Sequence, residues 1–337
     1  MDEVRVDNGD ITLRVEVTGD GPVVLCVHGW PELASSWHHQ VRHLAGRGYR
    51  VAAMDVRGYG GSSAPPEIER YTLAELAGDV AAVAAALDDG PIVLAGHDWG
   101  APIVWNTAVR HPDRVRAVAG LSVPYTPPMA LSILDLFDQL YADRFFYMLY
   151  FREPGVPETA FGADLRGALK RCFFALSGDA PANSWTPDAP RHADFLPLLP
   201  DPPAGPLSFL SDEALDRYAA TFERTGMTGA FNRYRALAFD AATVGDLAGA
   251  TVDQPACFIA GSLDPVRAMI PGVDSYADPG AGCTDFRGTT VIDGAGHWVH
   301  QEAPDAVNAA LDAFLDSLDR GPPGLDDPGR ILRARAE

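Results

Sequence analysis

The chain has few cysteines and no long apolar run. Its four cysteines among 337 residues, Cys26, Cys172, Cys257 and Cys283, form no C-x-x-C pair, which disfavours a zinc site and a disulfide framework. No segment approaches the roughly 20 apolar residues of a membrane span, and the first residues lack the basic and apolar regions of a secretory signal. We therefore expect a cytoplasmic protein without a membrane segment.

Basic residues are also scarce. The 26 lysines and arginines are outnumbered by 46 acidic residues, which gives a formal net charge of −20. A surface of this sign repels nucleic acid and anionic membranes, so neither is an expected partner. Apolar residues make up 47% of the chain, enough for a large buried core. The composition predicts a globular protein, and it leaves open whether the chain is a monomer or a homodimer.

Short apolar runs alternate along the chain with helical stretches rich in alanine. The runs that we expect to be strands are 23–27, 50–54, 92–95, 115–121, 256–260 and 289–292. The expected helices of the alternating part are 73–87, 102–110 and 303–318. An antiparallel hairpin, 4–6 and 11–17, precedes them. This alternation predicts an α/β fold with a mostly parallel sheet and helices on both faces.

The alternation stops after Pro124 and resumes near Gln254. The residues between contain helical patches at 131–151, 165–176, 211–224 and 229–239, separated by links rich in proline and glycine. We interpret 125–244 as a helical cap inserted into a core formed by 1–124 and 245–320. The tail, 321–337, is rich in proline, glycine and charge, and we expect it to be loosely held.

One turn carries a candidate nucleophile. The strand at 92–95 leads into Gly96-His97-Asp98-Trp99-Gly100 and then into a helix, the context of a G-x-Nu-x-G nucleophile elbow with Asp98 in the nucleophile position. Aspartate is also a common helix cap, but a cap does not require glycine on both sides. A carboxylate is ionised at pH 7 and attacks saturated carbon without a base. The ester that forms can then be cleaved by water, so the elbow predicts substitution at saturated carbon.

Four motifs stand out along the chain: His28-Gly29-Trp30-Pro31-Glu32, Gly96-His97-Asp98-Trp99-Gly100, Phe146-Tyr147-Met148-Leu149-Tyr150-Phe151 and Gly294-Ala295-Gly296-His297-Trp298. Through these motifs the chain resembles, from about residue 4 to residue 318, the epoxide hydrolases of the α/β-hydrolase fold. The resemblance implies an α/β-hydrolase core with an inserted helical cap. It also implies hydrolysis of a small apolar epoxide by water, with neither a metal nor another cofactor.

The resemblance assigns further residues to the site. His297 is expected to be the general base that activates water. Asp264, after the strand at 256–260, is expected to be the acid that orients the His297 ring. Asp293 is the less favoured candidate for that acid. The backbone N–H groups of Trp30 and Trp99 are expected to form an oxyanion hole.

The chain has eight histidines besides His297. His28 and His97 are interpreted as buried scaffold residues. The remaining six are read as surface or cap residues: His38, His39, His43, His111, His192 and His300.

Two cap tyrosines separate the candidate reactions. In the family, Tyr147 and Tyr234 would donate protons to the epoxide oxygen as it leaves. Arg233 stands where relatives often carry tryptophan, which puts the pocket shape on that side in doubt. Two alternatives remain open: a haloalkane dehalogenase with the same Asp-His-Asp set, and a ligand-binding protein of low turnover. Trp30 argues against the dehalogenase, because many of those enzymes place asparagine there to bind halide.

Overall fold

The structure is a computed structural model that describes residues 2–185 and 188–319 and the backbone of 331–335. Its strands are β1 (Asp2–Asn8), β2 (Ile11–Thr18), β3 (Val23–Val27), β4 (Arg50–Met54), β5 (Ile92–His97), β6 (Val115–Leu121), β7 (Ala256–Gly261), β8 (Phe286–Asp293) and β9 (Ile331–Arg335). They form one nine-stranded sheet in the order β1-β2-β4-β3-β5-β6-β7-β8-β9. The pairs β1 with β2 and β2 with β4 are antiparallel, and all later pairs are parallel.

Helices cover both faces of this sheet. They are α1 (His38–Gly46), α2 (Leu73–Leu87), α3 (Gly100–Arg110), α4 (Ile133–Leu140), α5 (Tyr147–Phe151), α6 (Val156–Gly162), α7 (Leu165–Ala175), α8 (Phe195–Leu198), α9 (Asp212–Thr225), α10 (Thr228–Asp240), α11 (Val299–Glu302) and α12 (Pro304–Ser317). Buried residues of α2 and α3 pack in one core, and those of α1 and α12 pack in the other. Leu25 and Cys26, neighbours in β3, belong to opposite cores, because successive strand side chains point to opposite faces. The prediction of a mostly parallel sheet covered on both faces is confirmed.

The helices α4 to α10 all lie in the chain between β6 and β7, within the stretch interpreted as a cap. Their buried side chains join the same apolar core as α2 and α3. The described residues of this stretch add no strand to the sheet. The division into a core of 1–124 and 245–320 and a cap of 125–244 stays a prediction.

Two local features of this stretch differ from the predictions. The patch at 131–151 is not one helix but two, because the intervening backbone pairs elsewhere: the N–H of Phe145 donates to the carbonyl of Ala189 at 2.8 Å. The helices α6 and α8 were not predicted. The helix α6 begins after Gly155, which has a left-handed φ of +81°, and the Glu158 carboxylate accepts a hydrogen bond from the Gly155 N–H at 2.9 Å. Proline in the first turn and glutamate three residues after the cap are the signals that could have found it.

The end of the chain is only partly described. Residues 320–330 and 336–337 lie outside the described residues, so the expectation of a loosely held tail stays a prediction there. Ile331–Arg335 differs from that expectation, because its backbone pairs in parallel with β8. The free edge of β8 offers unpaired N–H and C=O groups that an extended segment can satisfy. Among the described helices, none is both long and apolar enough to span a membrane.

Candidate active site

The predicted site residues follow the carboxyl ends of the parallel strands. Asp98 comes directly after β5, and Asp264 and His297 follow β7 and β8. The carboxyl ends of parallel strands meet at one edge of a sheet, so residues far apart in sequence come together there. One small cavity at this edge is lined by five of the predicted residues: Trp30, Asp98, Tyr147, Tyr234 and His297.

Asp98 occupies a tight turn between β5 and α3. Its φ of +50° is left-handed, a conformation that costs about 1 to 3 kcal/mol in a residue other than glycine. The flanking glycines are required by close contacts. A Cβ at Gly96 would lie 2.2 Å from the carbonyl oxygen of Gly100, and one at Gly100 would lie 2.0 Å from that of Val27. The turn therefore presents the Asp98 carboxylate at the edge of the sheet.

The two oxygens of Asp98 have different surroundings. Oδ1 accepts a hydrogen bond from the backbone N–H of Trp30 at 2.7 Å, and Oδ2 lies 3.4 Å from Nε2 of His297. A Cβ at Gly29 would lie 2.3 Å from Oδ1 of Asp98 and 2.6 Å from the Trp99 nitrogen, so only glycine fits where this turn packs against the elbow. The structure thus places the N–H of Trp30 beside one oxygen and the expected base beside the other, and their catalytic roles stay predictions.

His297 is fully buried between two carboxylates. Its Nδ1 lies 3.1 and 3.2 Å from the two oxygens of Asp264. Burial favours the neutral ring, but attraction by Asp264 and then by Asp98 outweighs it and raises the pKa of His297 to about 10. Burial likewise opposes the charge of Asp264, and attraction by His297 still lowers the pKa of that carboxyl. The resting site therefore holds a protonated His297.

Both predicted tyrosines lie above Asp98 in an aromatic wall. Their ring centroids are 6.0 Å apart. Burial and then the charge of Asp98 raise the pKa of Tyr147 well above its usual value. Burial, followed by Tyr147 and Asp98, does the same to the pKa of Tyr234. Both hydroxyls are therefore protonated and able to donate. Trp185, which the sequence did not suggest, packs edge-on against Tyr147 with centroids 5.0 Å apart.

Two supporting residues were missed by the sequence reasoning. The hydroxyl of Tyr276 lies 2.9 Å from Oδ2 of Asp264 and 2.6 Å from the carbonyl oxygen of Ser122. Glu302 holds the turn that carries His297: its carboxylate accepts hydrogen bonds from the N–H groups of Gly296 and Trp298, each at 2.9 Å. No motif marks Tyr276, whereas the position of Glu302 five residues after the base was a usable signal.

A buried polar cluster lies behind His297. Both ring nitrogens of His97 face acceptors, Glu32 Oε2 at 2.7 Å and the carbonyl of His297 at 2.8 Å. His300, interpreted as a surface or cap residue, is in fact fully buried, with Nε2 3.3 Å from Glu32 Oε1. That interpretation was wrong because the chain after β8 runs into the protein interior, and His300 lies there rather than on the surface.

The same cluster is the one group among the described residues whose spacing would suit a metal ion. The ligand atoms of Glu32, His97 and His300 lie within 4.8 Å of one another. The candidate ligand atoms of Glu32 and His97 are already hydrogen-bonded, and Glu32 also accepts a hydrogen bond from the side-chain amide of Gln301 at 2.9 Å. We interpret the cluster as a hydrogen-bonded support for His297.

Glu302 leads to a prediction about stability. Its carboxylate also accepts a hydrogen bond from the N–H of Gly178, at 2.8 Å. In Glu302→Gln the amide NH₂ would face one of three buried N–H donors, which leaves that donor unpaired. We expect a loss of about 2 kcal/mol in the free energy of unfolding, measured by urea denaturation. Glu223→Gln, on the exposed side of α9, is the control and should change stability by less than about 0.5 kcal/mol. Equal stability of the two variants would contradict a structural role for Glu302.

Comparison with known proteins identifies the family. Residues 22–304 match the family described as alpha/beta hydrolase fold. Epoxide hydrolase A of Mycobacterium tuberculosis (strain ATCC 25618 / H37Rv) is 42% identical, with 94% of this chain and 98% of that protein covered. Epoxide hydrolase 1 of Siraitia grosvenorii is 36% identical, at 94% and 98% coverage.

Solved structures agree with this result. An epoxide hydrolase from an endophytic Streptomyces has a TM-score of 0.87 at 35% identity, covering 99% of this chain and 97% of that one. The crystal structure of epoxide hydrolase A from Mycobacterium thermoresistibile has a TM-score of 0.86 at 41% identity, at 94% and 98% coverage. The chain therefore belongs to the α/β-hydrolase fold family and, within it, to the epoxide hydrolases.

Proposed function

We propose that the chain hydrolyses epoxides to vicinal diols through a covalent ester on Asp98. The observation that carries this proposal is the arrangement around one carboxylate. Oδ1 of Asp98 is bound by the N–H of Trp30, and the cavity that Asp98 lines also contains both buried tyrosines and His297. A nucleophile, a base and two O–H donors thus share a single pocket. The curated relatives named above, all epoxide hydrolases, support the same reaction.

The first half-reaction is ring opening. Asp98 attacks one epoxide carbon through Oδ2, the oxygen that is not bound by Trp30, and the C–O bond of the ring breaks. The leaving oxygen takes a proton from Tyr147 or Tyr234, because an alkoxide is too basic to leave unprotonated. The high pKa values of both tyrosines keep that proton in place until the ring opens.

The second half-reaction is hydrolysis of the ester. Esterification removes the negative charge of Asp98, one of the two charges that raise the pKa of His297. The pKa of His297 falls in consequence, and the ring gives its proton to the tyrosinate that ring opening left, directly or through water. The neutral ring then accepts a proton from water as water attacks the Asp98 carbonyl carbon. The N–H groups of Trp30 and Trp99 then stabilise the oxyanion, and His297 gives its proton to the diol oxygen as the ester breaks. The Asp98 carboxyl group formed in this step passes its proton to His297, which restores the resting ion pair.

The alternatives predict different products. A halide leaves as a weakly basic anion and does not need the two tyrosines, whereas an alkoxide does. A ligand-binding protein would turn over neither class of substrate. Homodimer formation and a cytoplasmic location stay predictions from the sequence.

A substrate comparison tests the proposed function. We expect styrene oxide to yield its diol, and 1-chlorobutane or 1-bromobutane to release halide at least about 10²-fold more slowly. Diol is measured by chromatography and halide by ion electrode, with Asp98→Asn as the inactive control for both. Halide release comparable to diol formation would identify a dehalogenase. Absence of diol from a panel of aryl and alkyl epoxides would favour the ligand-binding alternative.

A further inference from the structure

Arg233 is a buried cation in α10, the helix that carries Tyr234. It stands directly before Tyr234 and is only 2% exposed. Its guanidinium forms an ion pair with Asp240, at the end of the same helix, and donates through Nη1 to the carbonyl of Tyr71 at 2.5 Å. The carboxylate of Asp240 also accepts a hydrogen bond from the N–H of Leu73 at 2.8 Å. Together, Arg233 and Asp240 thus tie α10 to the start of α2.

The same guanidinium lies over the ring of Trp99, the residue that follows Asp98 in the elbow. Its Cζ atom is 4.7 Å from the centroid of the Trp99 ring, within the range of a cation–π interaction. The ring of Tyr234 meets the Trp99 ring edge-on, with centroids 5.4 Å apart and planes at 80°. The Trp99 ring therefore packs against two consecutive residues of α10, the cation and the tyrosine.

The side chain of Trp99 also acts on the hydroxyl of Tyr234. Burial raises the pKa of Tyr234, followed by the effects of Tyr147 and Asp98, whereas a hydrogen bond with the Trp99 side chain lowers this pKa. The indole N–H can only donate, so it stabilises the Tyr234 oxygen as the hydroxyl loses its proton. The orientation of the Trp99 ring therefore matters in the step in which Tyr234 protonates the leaving oxygen.

Stability alone does not account for a cation at this position. The attraction within a buried ion pair is offset by desolvation, and apolar side chains of similar volume are often as stable or more stable. The Nε atom of Arg233 also has no hydrogen-bond acceptor among the described residues, which adds a further cost. What arginine provides is fixed geometry, because its planar fork binds Tyr71 and Asp240 together while it stacks on an aromatic ring.

We propose that Arg233 is a positioning residue, which holds the Trp99 indole against Tyr234 and so fixes the Tyr234 hydroxyl above Asp98 for ring opening. This inference rests on the proposed epoxide hydrolysis. The described residues that line the catalytic cavity do not include Arg233, so it acts through Trp99 and Tyr234 and does not touch the epoxide. Because Asp240 balances the charge of Arg233, the effect is geometric.

The test is a double-mutant cycle on the rate of ring opening. With the enzyme in excess over styrene oxide, rapid quenching and chromatography of the remaining epoxide give this rate in a single turnover. We expect Arg233→Gln to slow ring opening by about 10- to 100-fold, the effect of a slightly misplaced catalytic group, in the native chain and in Tyr147→Phe. In Tyr234→Phe the same substitution should change the rate by less than about 2-fold, because the hydroxyl that Arg233 positions is absent.

A general loosening of α10 would give a different pattern, because it would slow ring opening equally in Tyr147→Phe and Tyr234→Phe. Arg235→Gln is the matched control. Arg235 is buried in the same helix and pairs with Glu158, so its loss disturbs α10 in a similar way, but ring opening should stay close to the native rate. Equal effects of Arg233→Gln in the two tyrosine variants, or comparable slowing by Arg235→Gln, would overturn this inference.

A second variant keeps the test decisive if Arg233→Gln alone does not fold. Arg233→Gln combined with Asp240→Asn removes both charges of the buried pair, and it should show the same dependence on Tyr234. If the native chain opens styrene oxide and neither Arg233 variant slows that step, the inference alone fails. If the native chain opens neither styrene oxide nor any other aryl or alkyl epoxide, the proposed function fails as well.

Discussion

His297→Gln is expected to arrest the enzyme as a covalent ester on Asp98. The first half-reaction uses a carboxylate that is already ionised, so it should proceed without the base. The second needs His297 to deprotonate water, so steady-state turnover should fall by at least about 10³-fold. Intact-mass spectrometry should show the protein gaining the mass of one epoxide, and peptide mapping should place this mass on Asp98.

Two controls make this result specific. Asp98→Asn combined with His297→Gln should form no adduct, and His192→Gln, an exposed histidine, should turn over normally. In the native chain, one turnover in ¹⁸O-water should put the label on Asp98, because water attacks the ester carbonyl and the substrate receives its oxygen from the carboxylate. Label in the diol after that single turnover, with no adduct in the His297 variant, would mean that Asp98 activates water instead of attacking carbon.

Removing the hydroxyls of Tyr147 and Tyr234 is expected to slow ring opening strongly. Tyr147→Phe and Tyr234→Phe should each slow ring opening by about 10² to 10⁴-fold, and the double variant should slow it further, because the leaving oxygen then has no O–H donor. The rapid change in tryptophan fluorescence after mixing with epoxide measures the rate of ring opening, since Trp30 and Trp185 line the catalytic cavity.

The folded state should survive these substitutions. The hydroxyl of Tyr147 makes a weak contact with the sulfur of Met269, at 3.8 Å, so phenylalanine fills the same space with little loss. Thermal unfolding of each variant should match that of the native chain. Tyr150→Phe, a cap tyrosine that does not line the catalytic cavity, is the matched control for activity. Unimpaired epoxide turnover in the double variant would rule out both residues as donors.

The sequence predicted those parts of the molecule that depend on local pattern. The strands follow from short apolar runs, and the elbow at Asp98 follows from glycines that its close contacts require. The sequence did not reveal contacts made across long separations. Glu302 binds Gly178, 124 positions away, and Tyr276 binds Asp264 from a loop that carries no motif. Burial of His300 likewise depends on Glu32 and Trp37, which pack against it from the start of the chain.

The tight catalytic cavity has a consequence for the rate at which substrate arrives. A space of about 10 Å³ has room for about one water molecule, so an epoxide enters only while some of the residues that line the cavity are displaced. Such displacements occur on the microsecond to millisecond timescale. At high epoxide concentration the association rate should therefore stop rising and equal the frequency of opening. Epoxides with very different diffusion coefficients would then have the same maximum association rate, because opening of the protein limits it and diffusional encounter does not.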